Sequence, residues 1–201
     1  MVVDVDKLWS PGDNLNICFM NGTTGQKEVL MEVIEEWTDD LDISFNLTED
    51  INSEIRVAFG NLLFASIGRD ALEVPQELPT LQVSDLGRPS NLKKFARHEF
   101  GHVLGCLHEH QSPKFPFSIN EEFVISKYTS LPYGWTMSLV KYNFFKKMGE
   151  QIVESEFDPL SIMIYELSSR EIIEGRSFSY NEHLSSVDKH FINRFYKKII
   201  A

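Results

Sequence analysis

Three histidines at fixed spacing near the middle of this 201-residue chain limit the folds that it can adopt. His98 and His102 are one helical turn apart, so on an α-helix both imidazoles leave the same face and can bind one ion. Gly105 follows, and glycine readily takes the left-handed backbone conformation that ends a helix. The spacing therefore predicts a helix that carries two ligands, a turn at the glycine, and a third ligand, His108, in the next segment.

The residue types in this stretch are those of a catalytic metal site. Three imidazoles suit a zinc ion and leave its fourth position open to water, whereas a structural zinc site fills all four positions with side chains. Glu99 follows His98 directly, where its carboxylate can take a proton from the attacking water without binding the metal. We therefore expect one catalytic zinc ion bound by the three histidines, with Glu99 as the general base.

Hydrophobic patterning in the first half of the chain predicts a sheet packed against helices. Three stretches alternate apolar and polar residues and predict strands: 15–19, 43–47 and 55–59. Residues 26–38 have one apolar helical face, and a second helix is expected over 92–103, up to the glycine turn. Residues 81–83 are expected to form a short edge strand because Pro79 and Pro89 flank them.

Patterning in the second half of the chain is weaker. Helices are predicted over 120–129 and 137–147, and residues 150–166 are predicted to be irregular. Ser185 and Asp188 have the spacing of a capping box, which predicts that a last helix begins there. The length fits a single domain over 1–201, with an N-terminal lobe of about 1–108 and a C-terminal lobe of about 109–201.

Charge and apolar content exclude several classes of partner. The chain has 30 acidic and 19 basic residues, and its net charge of −11 argues against nucleic acid or an anionic membrane surface. No apolar run reaches the length of a membrane-spanning helix. Cys18 and Cys106 are too few for a disulfide framework, and their apolar neighbours favour two buried free thiols over a single bridge.

Two motifs give this chain a family resemblance. The run from His98 to His108 resembles the zinc-binding motif of the metzincin clan of peptidases, and Glu109-His110 after it is similar to the astacin branch. Residues 161–165, Ser-Ile-Met-Ile-Tyr, resemble the astacin Met-turn, Ser-x-Met-His-Tyr. The resemblance extends over nearly the whole chain and is greatest to the shorter bacterial astacin-like enzymes, through three further segments: 8–12, 55–59 and 184–188.

This resemblance implies a metzincin-type α+β fold with two lobes. The N-terminal lobe would hold a mixed twisted sheet and two long helices, and the C-terminal lobe would be mostly irregular or helical. The implied activity is endopeptidase cleavage of proteins or peptides. The substrate would lie extended in the cleft and pair with the sheet edge near residues 79–87. We expect a monomer.

The resemblance also implies roles for single residues. Met163 would lie beneath the imidazoles and, with Gly105, support the site. Tyr165 would act as an additional, displaceable zinc ligand and then hydrogen-bond the oxyanion formed on peptide attack. Glu109 would meet the amino terminus of the mature chain, while a solvated loop carboxylate is the other interpretation of this residue.

The chain departs from the family pattern at the Met-turn, where Ile164 replaces a histidine, so we expect that a hydrogen bond supporting the site is lost. Animal astacins carry two disulfides, which two cysteines cannot supply. His110, His183 and His190 show no partner pattern and are predicted to be surface or structural residues.

Several alternatives stay open on sequence alone. A catalytically inactive zinc-binding interaction module of the same fold is one, although such modules usually lack the base that Glu99 provides. Tyr165 disfavours the matrixin branch, and the lack of glycine-rich calcium-binding repeats disfavours the serralysins. The N-terminus shows no secretory signal, so we expect an exported or delivered peptidase that acts inside a target cell, or a mature secreted enzyme.

Overall fold

Two sheets and five α-helices form the regular structure of residues 1–146 and 151–197, the part of the chain that the computed structural model describes. The strands are, in chain order, β1 (Val2–Asp4), β2 (Asn14–Phe19), β3 (Ser44–Leu47), β4 (Ile55–Phe59), β5 (Phe64–Ala65), β6 (Leu81–Val83), β7 (Cys106–Leu107) and β8 (Ile152–Glu154). The α-helices are α1 (Thr24–Thr38), α2 (Leu92–Val103), α3 (Glu121–Thr129), α4 (Met137–Val140) and α5 (Ser186–Asn193). A π-helical turn, Lys141–Phe145, continues α4, and short 3-10 helices lie at Val5–Lys7, Gly68–Glu73, Pro89–Asn91 and Glu109–Gln111. None of the helices in these two ranges is long and apolar enough to cross a membrane.

The larger sheet has the strand order β3-β2-β4-β6-β5. Its first four strands are parallel, and β5 pairs antiparallel with β6. The strands predicted at 15–19, 43–47 and 55–59 are confirmed as β2, β3 and β4. The helices predicted over 26–38 and 92–103 are confirmed as α1 and α2, so the main elements of the first half follow the patterning.

The prediction that residues 81–83 form an edge strand is wrong. They form β6, which lies between β4 and β5 and pairs Leu81 with Ala65. Pro79 and Pro89 flank the strand without interrupting it, so its own N–H groups can pair on both sides. The edge strand on this side of the sheet is β5, whose two residues are too few to give a periodic pattern.

The smaller sheet has the order β7-β1-β8, and both of its ladders are antiparallel. The prediction that residues 150–166 are irregular is therefore wrong at β8, while residue 150 itself lies outside the described residues. The partners of β1 come from distant parts of the chain, so no local sequence pattern predicts this sheet. Its strand β7 leads directly into the third histidine, which makes the sheet part of the frame around that residue.

Side-chain caps fix where several helices begin. Thr23 and Gln26 form a capping box at α1, and Asn120 accepts a hydrogen bond from the N–H of Phe123 at α3. The helix predicted over 120–129 is thereby confirmed as α3. The helix predicted over 137–147 is α-helical only to Val140 and then widens into the π-helical turn, and residue 147 lies outside the described residues.

The last helix, α5, begins at the predicted capping box and also contacts the segment that holds Met163. The buried carboxylate of Asp188 accepts hydrogen bonds from Ser161 Oγ at 2.7 Å and from the N–H of Ile162 at 2.9 Å. One side chain therefore both starts the helix and fixes the turn beside the histidines.

Two apolar cores lie on either side of the cleft. The first joins the larger sheet to α1, α2 and α5 and includes Phe100, Met163 and Phe191. The second packs around α3 and α4 and is rich in aromatic residues, among them Tyr128 and Phe144. The two cysteines, in β2 and β7, are both buried free thiols, as predicted.

The helix that carries the first two histidines, α2, is fixed against α1. Trp37 Nε1 donates to the backbone carbonyl of Arg97 at 3.0 Å, and the Arg97 guanidinium pairs with Glu36. Hydrogen bonds from Arg97 lower the pKa of Glu36 to about 2 despite its partial burial. These contacts set the position of the helix from which His98 and His102 project.

Gly105→Ala should lower the free energy of unfolding by about 1–3 kcal/mol, because strained backbone and steric overlap both oppose a side chain there. Gly105 has a φ of +92°, and a Cβ atom at this position would lie 2.6 Å from Leu8 Cδ2. Gly12→Ala is the matched control, since Gly12 has a φ of +86° but open space around the Cβ position. Urea unfolding of both variants should show the larger loss of unfolding free energy for Gly105→Ala. Equal losses would mean that overlap with Leu8 does not contribute.

Candidate metal centre

The three histidines of the motif come together at the base of the cleft. One ring nitrogen from each of His98, His102 and His108 lies within 4.8 Å of the others, and all three side chains are buried. His98 and His102 project from α2, one turn apart. His108 follows β7, which the turn at Gly105 directs back toward the helix.

Hydrogen bonds to the opposite ring nitrogens fix how the imidazoles face one another. His98 Nδ1 lies 2.8 Å from the carbonyl of Ile162, and His102 Nδ1 lies 2.7 Å from the carbonyl of Cys106. A carbonyl only accepts, so both Nδ1 atoms carry the proton and both Nε2 atoms present a lone pair. His108 Nδ1 lies 3.2 Å from Gln111 Oε1, a partner that sequence reasoning missed.

This donor set fits a zinc ion. His102 Nε2 and His108 Nε2 are 3.1 Å apart, and two lone pairs at that distance repel unless a cation lies between them. Two nitrogens bound tetrahedrally at the usual zinc–nitrogen distance of about 2.0–2.1 Å are themselves about 3.3 Å apart. The spacing in the structure is close to that value.

Burial keeps the three imidazoles in the form that binds metal. Loss of solvation, reinforced by the neighbouring histidine, lowers the pKa of His98 to about 3, and burial lowers the pKa of His102 to about 4. Burial also lowers the pKa of His108 well below its usual value. All three are therefore neutral at pH 7, as metal ligation requires.

Glu99 lies on α2 beside the first histidine and lines the cleft. Burial raises the pKa of its carboxyl group to about 8. A cation held by the neighbouring imidazoles would favour the ionised form and oppose this increase. Burial is the only cause of this shift, with no hydrogen bond from a described residue beside it, so the carboxyl group is available to a molecule bound in the cleft.

The segment predicted as a Met-turn packs under and beside the imidazoles. Met163 is fully buried and lies against Gly101 of α2, where a Cβ atom would overlap its sulfur. The ring of Tyr165 packs on His108 with a centroid distance of 4.0 Å, and its hydroxyl donates to Asn143 Oδ1 at 3.1 Å. Burial raises the pKa of Tyr165, so the hydroxyl is protonated at neutral pH.

Glu109, which follows the third histidine, is fully buried. Its Oε2 atom forms an ion pair with the amino group of Met1, and its Oε1 atom accepts from the N–H of Asp158 at 2.8 Å. Burial raises the pKa of this carboxyl group, while the neighbouring amino group opposes the increase. The amino group also donates to Ser155 Oγ, so β1 is attached at its start.

The remaining histidines fall into two groups. His183 and His190 are exposed, whereas His110 is buried between His108, Tyr165 and the second core. Its Nε2 atom donates to the backbone carbonyl of Asn143 at 2.9 Å. His110 is therefore a structural residue of the site, one of the two readings that the sequence allowed.

The cleft above the histidines has a volume of about 1420 Å³. On one side it is lined by β5 and the loop before it, including Leu62 and Phe64. On the other side aromatic residues from the second core face it, and Tyr180 lies between the ring of Phe95 and His98. Tyr180 is a further site residue that sequence reasoning missed, since a single tyrosine in an irregular segment gives no local signal.

Three neutral imidazoles around one point, a neighbouring carboxyl group and an open cleft define the site of a zinc metallopeptidase. No family model and no curated protein matches the chain. Among solved structures it is similar to myroilysin, with 29% identity over 100% of both chains and a TM-score of 0.90 in one structure. A second structure, a crystal structure of myroilysin, has 29% identity over 96% of this chain and 86% of that chain, with a TM-score of 0.71.

A third solved structure supports the fold at lower identity. High choriolytic enzyme 1, a hatching-enzyme zinc protease of the medaka fish Oryzias latipes, has 17% identity over 94% of this chain and 93% of that chain, with a TM-score of 0.62. With the histidine cluster, the similarity to myroilysin supports an astacin-like zinc metalloprotease of the metzincin clan. The α+β fold class, the metalloendopeptidase activity and the zinc cofactor expected from the sequence are confirmed.

The metal-free protein should lose stability as the pH falls below about 6.5, the usual pKa of histidine in an unfolded chain. Burial holds the pKa of His98 at about 3 and those of His102 and His110 at about 4 in the folded state. Between these values and 6.5 the unfolded chain binds more protons, so the free energy of unfolding decreases as the pH decreases.

Thermal unfolding of chelator-treated protein between pH 8 and pH 4 measures this effect. Protein reloaded with zinc, one ion per chain by elemental analysis, is the control and should unfold at a higher temperature at pH 7, because the ion binds the folded state. An unfolding temperature that does not change between pH 6.5 and pH 4 would contradict the buried, neutral state of these histidines.

Proposed function

We propose that peptide-bond hydrolysis by this metalloendopeptidase uses Glu99 as general base, Tyr165 as oxyanion donor, and an ion bound by His98, His102 and His108. The observation that carries the proposal is the position of the Glu99 carboxyl group, which follows a metal-site histidine on α2 and lines the cleft without a partner among the described residues. A carboxyl group in that place has no structural contact to maintain, and it is available for proton transfer.

The proposed residues divide the reaction between them. When bound, zinc polarises the scissile carbonyl and makes a water more acidic. Glu99 takes the proton of the attacking water and later delivers it to the leaving amine. The Tyr165 hydroxyl donates a hydrogen bond to the oxyanion that forms on the carbonyl oxygen.

Three further residues support these groups without touching the substrate. Met163 packs against Gly101 of α2. This contact fixes the distance between the helix that carries His98 and His102 and the segment that carries Met163. Gly105 permits the reversal of chain direction that returns His108 to the site. Glu109 holds the start of β1 against the segment that carries His108, through its ion pair with Met1.

The substrate is a protein or peptide bound in an extended conformation. The sequence placed its pairing edge near residues 79–87, but β6 is covered by β5, so we assign the edge to β5 and the loop before it. Leu62 and Phe64 lie there and are exposed, which favours apolar substrate side chains at this edge.

The wider organisation is part of the same proposal. We assign residues 1–201 to a single catalytic domain, with lobes of about 1–108 and 109–201 on either side of the cleft, acting as a monomer. Export or delivery to a target cell is the setting that two free buried thiols favour. The alternative remains a mature secreted enzyme.

A zinc-binding module without catalysis is the competing function. The open cleft and the unengaged Glu99 carboxyl group favour the enzyme, because a module needs neither. Peptide cleavage that stops when a chelator removes the metal and returns when zinc is restored would support the enzyme. A zinc-loaded protein that cuts no member of a diverse peptide library would support the module.

Glu99→Gln should lower kcat by about 10²–10⁴-fold and leave the zinc content unchanged, because it removes the proton acceptor and no metal ligand. Glu166→Gln is the matched control, since Glu166 is an exposed carboxyl group that lines the same cleft. Steady-state cleavage of a peptide and elemental analysis test both variants. If Glu99→Gln retains most of the activity, another residue is the base.

Tyr165→Phe should lower kcat by about 10²–10³-fold with a smaller change in KM, because the hydroxyl bonds the oxyanion only in the transition state. Tyr133→Phe removes a hydroxyl from an exposed tyrosine that lines the same cleft, and it should leave kcat near the wild-type value. Kinetics with a series of peptide lengths separate kcat from KM. A pure increase in KM for Tyr165→Phe would assign the residue to substrate binding instead.

A further inference from the structure

Leu86, in the loop between β6 and α2, has a backbone conformation that leucine rarely adopts. Its φ is +49°, and within residues 1–146 and 151–197 it is the one residue other than glycine with a positive φ. In this left-handed region the Cβ atom crowds the following carbonyl oxygen, so glycine and asparagine are tolerated and a leucine is strained. The fold therefore keeps a leucine where another residue would be more stable.

Hydrogen bonds on both sides of Leu86 hold it in this conformation. Its own N–H donates to Ser84 Oγ at 3.0 Å. The N–H of Gly87 donates to Asp85 Oδ1 at 2.7 Å, and the N–H of Arg88 donates to the Asp85 carbonyl at 2.9 Å. None of these bonds uses the leucine side chain, so the turn does not require a leucine.

The side chain of Leu86 also contributes little to folding. It is 55% exposed, and it belongs to neither of the two apolar cores of the described residues. A leucine stabilises a fold by removing its apolar surface from water, and this one leaves more than half of that surface in water. It lines the cleft instead. Strained residues persist mainly at functional sites, so the strain and the exposure together indicate a role in the cleft.

Leu86 lies at the end of the cleft from which the first histidine projects. The strand β6 ends at Val83 and α2 begins at Leu92, so the loop that holds Leu86 leads into the helix that carries His98. Phe95 lies about one turn before His98 on that helix, and its ring packs edge-on against Tyr180 with a centroid distance of 5.5 Å. Phe95 and Tyr180 also line the cleft.

The loop before β5 reaches the same end of the larger sheet. The N–H of Gly60 donates to the carbonyl of Val83 at 3.1 Å, so this loop begins beside the end of β6. Leu62 and Leu63 line the cleft from the loop, and Leu62 is exposed. Leu86 therefore lies at the same end of the sheet as these leucines, next to the edge that we assign to the substrate.

We propose that Leu86 is a specificity-determining residue that contacts a bulky apolar side chain of the substrate at the His98 end of the cleft. The inference rests on the proposed function and narrows its substrate class to peptides with a side chain such as leucine, methionine or phenylalanine at that position. Contact with such a side chain removes from water the leucine surface that folding leaves exposed.

Leu86→Asn removes the apolar surface and introduces a residue that tolerates the left-handed backbone. The melting temperature should rise by about 2–4 °C, because the strain is relieved. Digestion of a proteome-derived peptide library by the zinc-loaded protein, with mass spectrometry of the cut sites, measures the selectivity. The enrichment of bulky apolar residues should fall by about tenfold at one position relative to the cut and remain at the other positions.

Leu86→Ala keeps the strained backbone and removes most of the contact, so it should lose the same enrichment without the rise in melting temperature. Leu72→Asn is the matched control, because Leu72 is 51% exposed and lies in the 3-10 helix Gly68–Glu73, away from the cleft lining among the described residues. It should leave the cleavage profile at the wild-type pattern.

Two results would overturn the proposal. A lower melting temperature for Leu86→Asn, together with slower cleavage of every peptide, would make the leucine a structural residue. A cleavage profile that is the same in the wild-type, Leu86→Asn and Leu86→Ala proteins would show that no substrate side chain depends on it.

Binding without turnover separates this inference from the proposed function. Immobilised, zinc-loaded Glu99→Gln protein, with and without Leu86→Asn, is incubated with the same library, and the retained peptides are identified by mass spectrometry. Loss of apolar enrichment on Leu86→Asn supports the inference, and equal enrichment overturns it. Failure of the proposed function appears separately, as full peptidase activity of Glu99→Gln.

Discussion

Three imidazole lone pairs that converge on one point repel one another, and much of this structure serves to hold them there until a cation balances them. In each ring the Nδ1 atom, which does not face the metal position, is hydrogen-bonded to an oxygen of another residue. The three oxygens belong to the Ile162 carbonyl, the Cys106 carbonyl and the Gln111 side chain. Burial adds to this by keeping the rings neutral. The fold therefore stores an unfavourable arrangement that metal binding relieves.

Local chemistry made the central parts of this structure predictable. Spacing in the histidine motif indicated α2 and its three potential ligands, and the serine–aspartate pair before α5 indicated that helix, because each signal lies within one or two helical turns. The smaller sheet gave no such signal, since β1 meets partners from distant parts of the chain. The edge position of β5 was missed for a related reason: two residues have no period to detect.

In the candidate site, too, residues related by local spacing were predictable and residues brought together by distant contacts were not. His98, His102, His108 and Glu99 could be named from sequence because one helix and one turn relate them. The partner of His108 could not, because the Gln111 side chain is itself held by the π-helical turn, which depends on packing in the second core. A family motif can therefore locate the reacting groups, whereas the contacts that tune them belong to the individual chain.

Asp188 gives the site a connection to the far end of the chain. Its carboxylate binds the N–H of Ile162, the carbonyl of the same residue orients His98, and the helix that carries Asp188 begins at this carboxylate. Free energy released when the metal binds is therefore shared with α5, about ninety residues away in sequence. Chelation would weaken that helix as well as the cleft, so amide hydrogens there would exchange faster and a protease would find a cleavage site far from the catalytic residues.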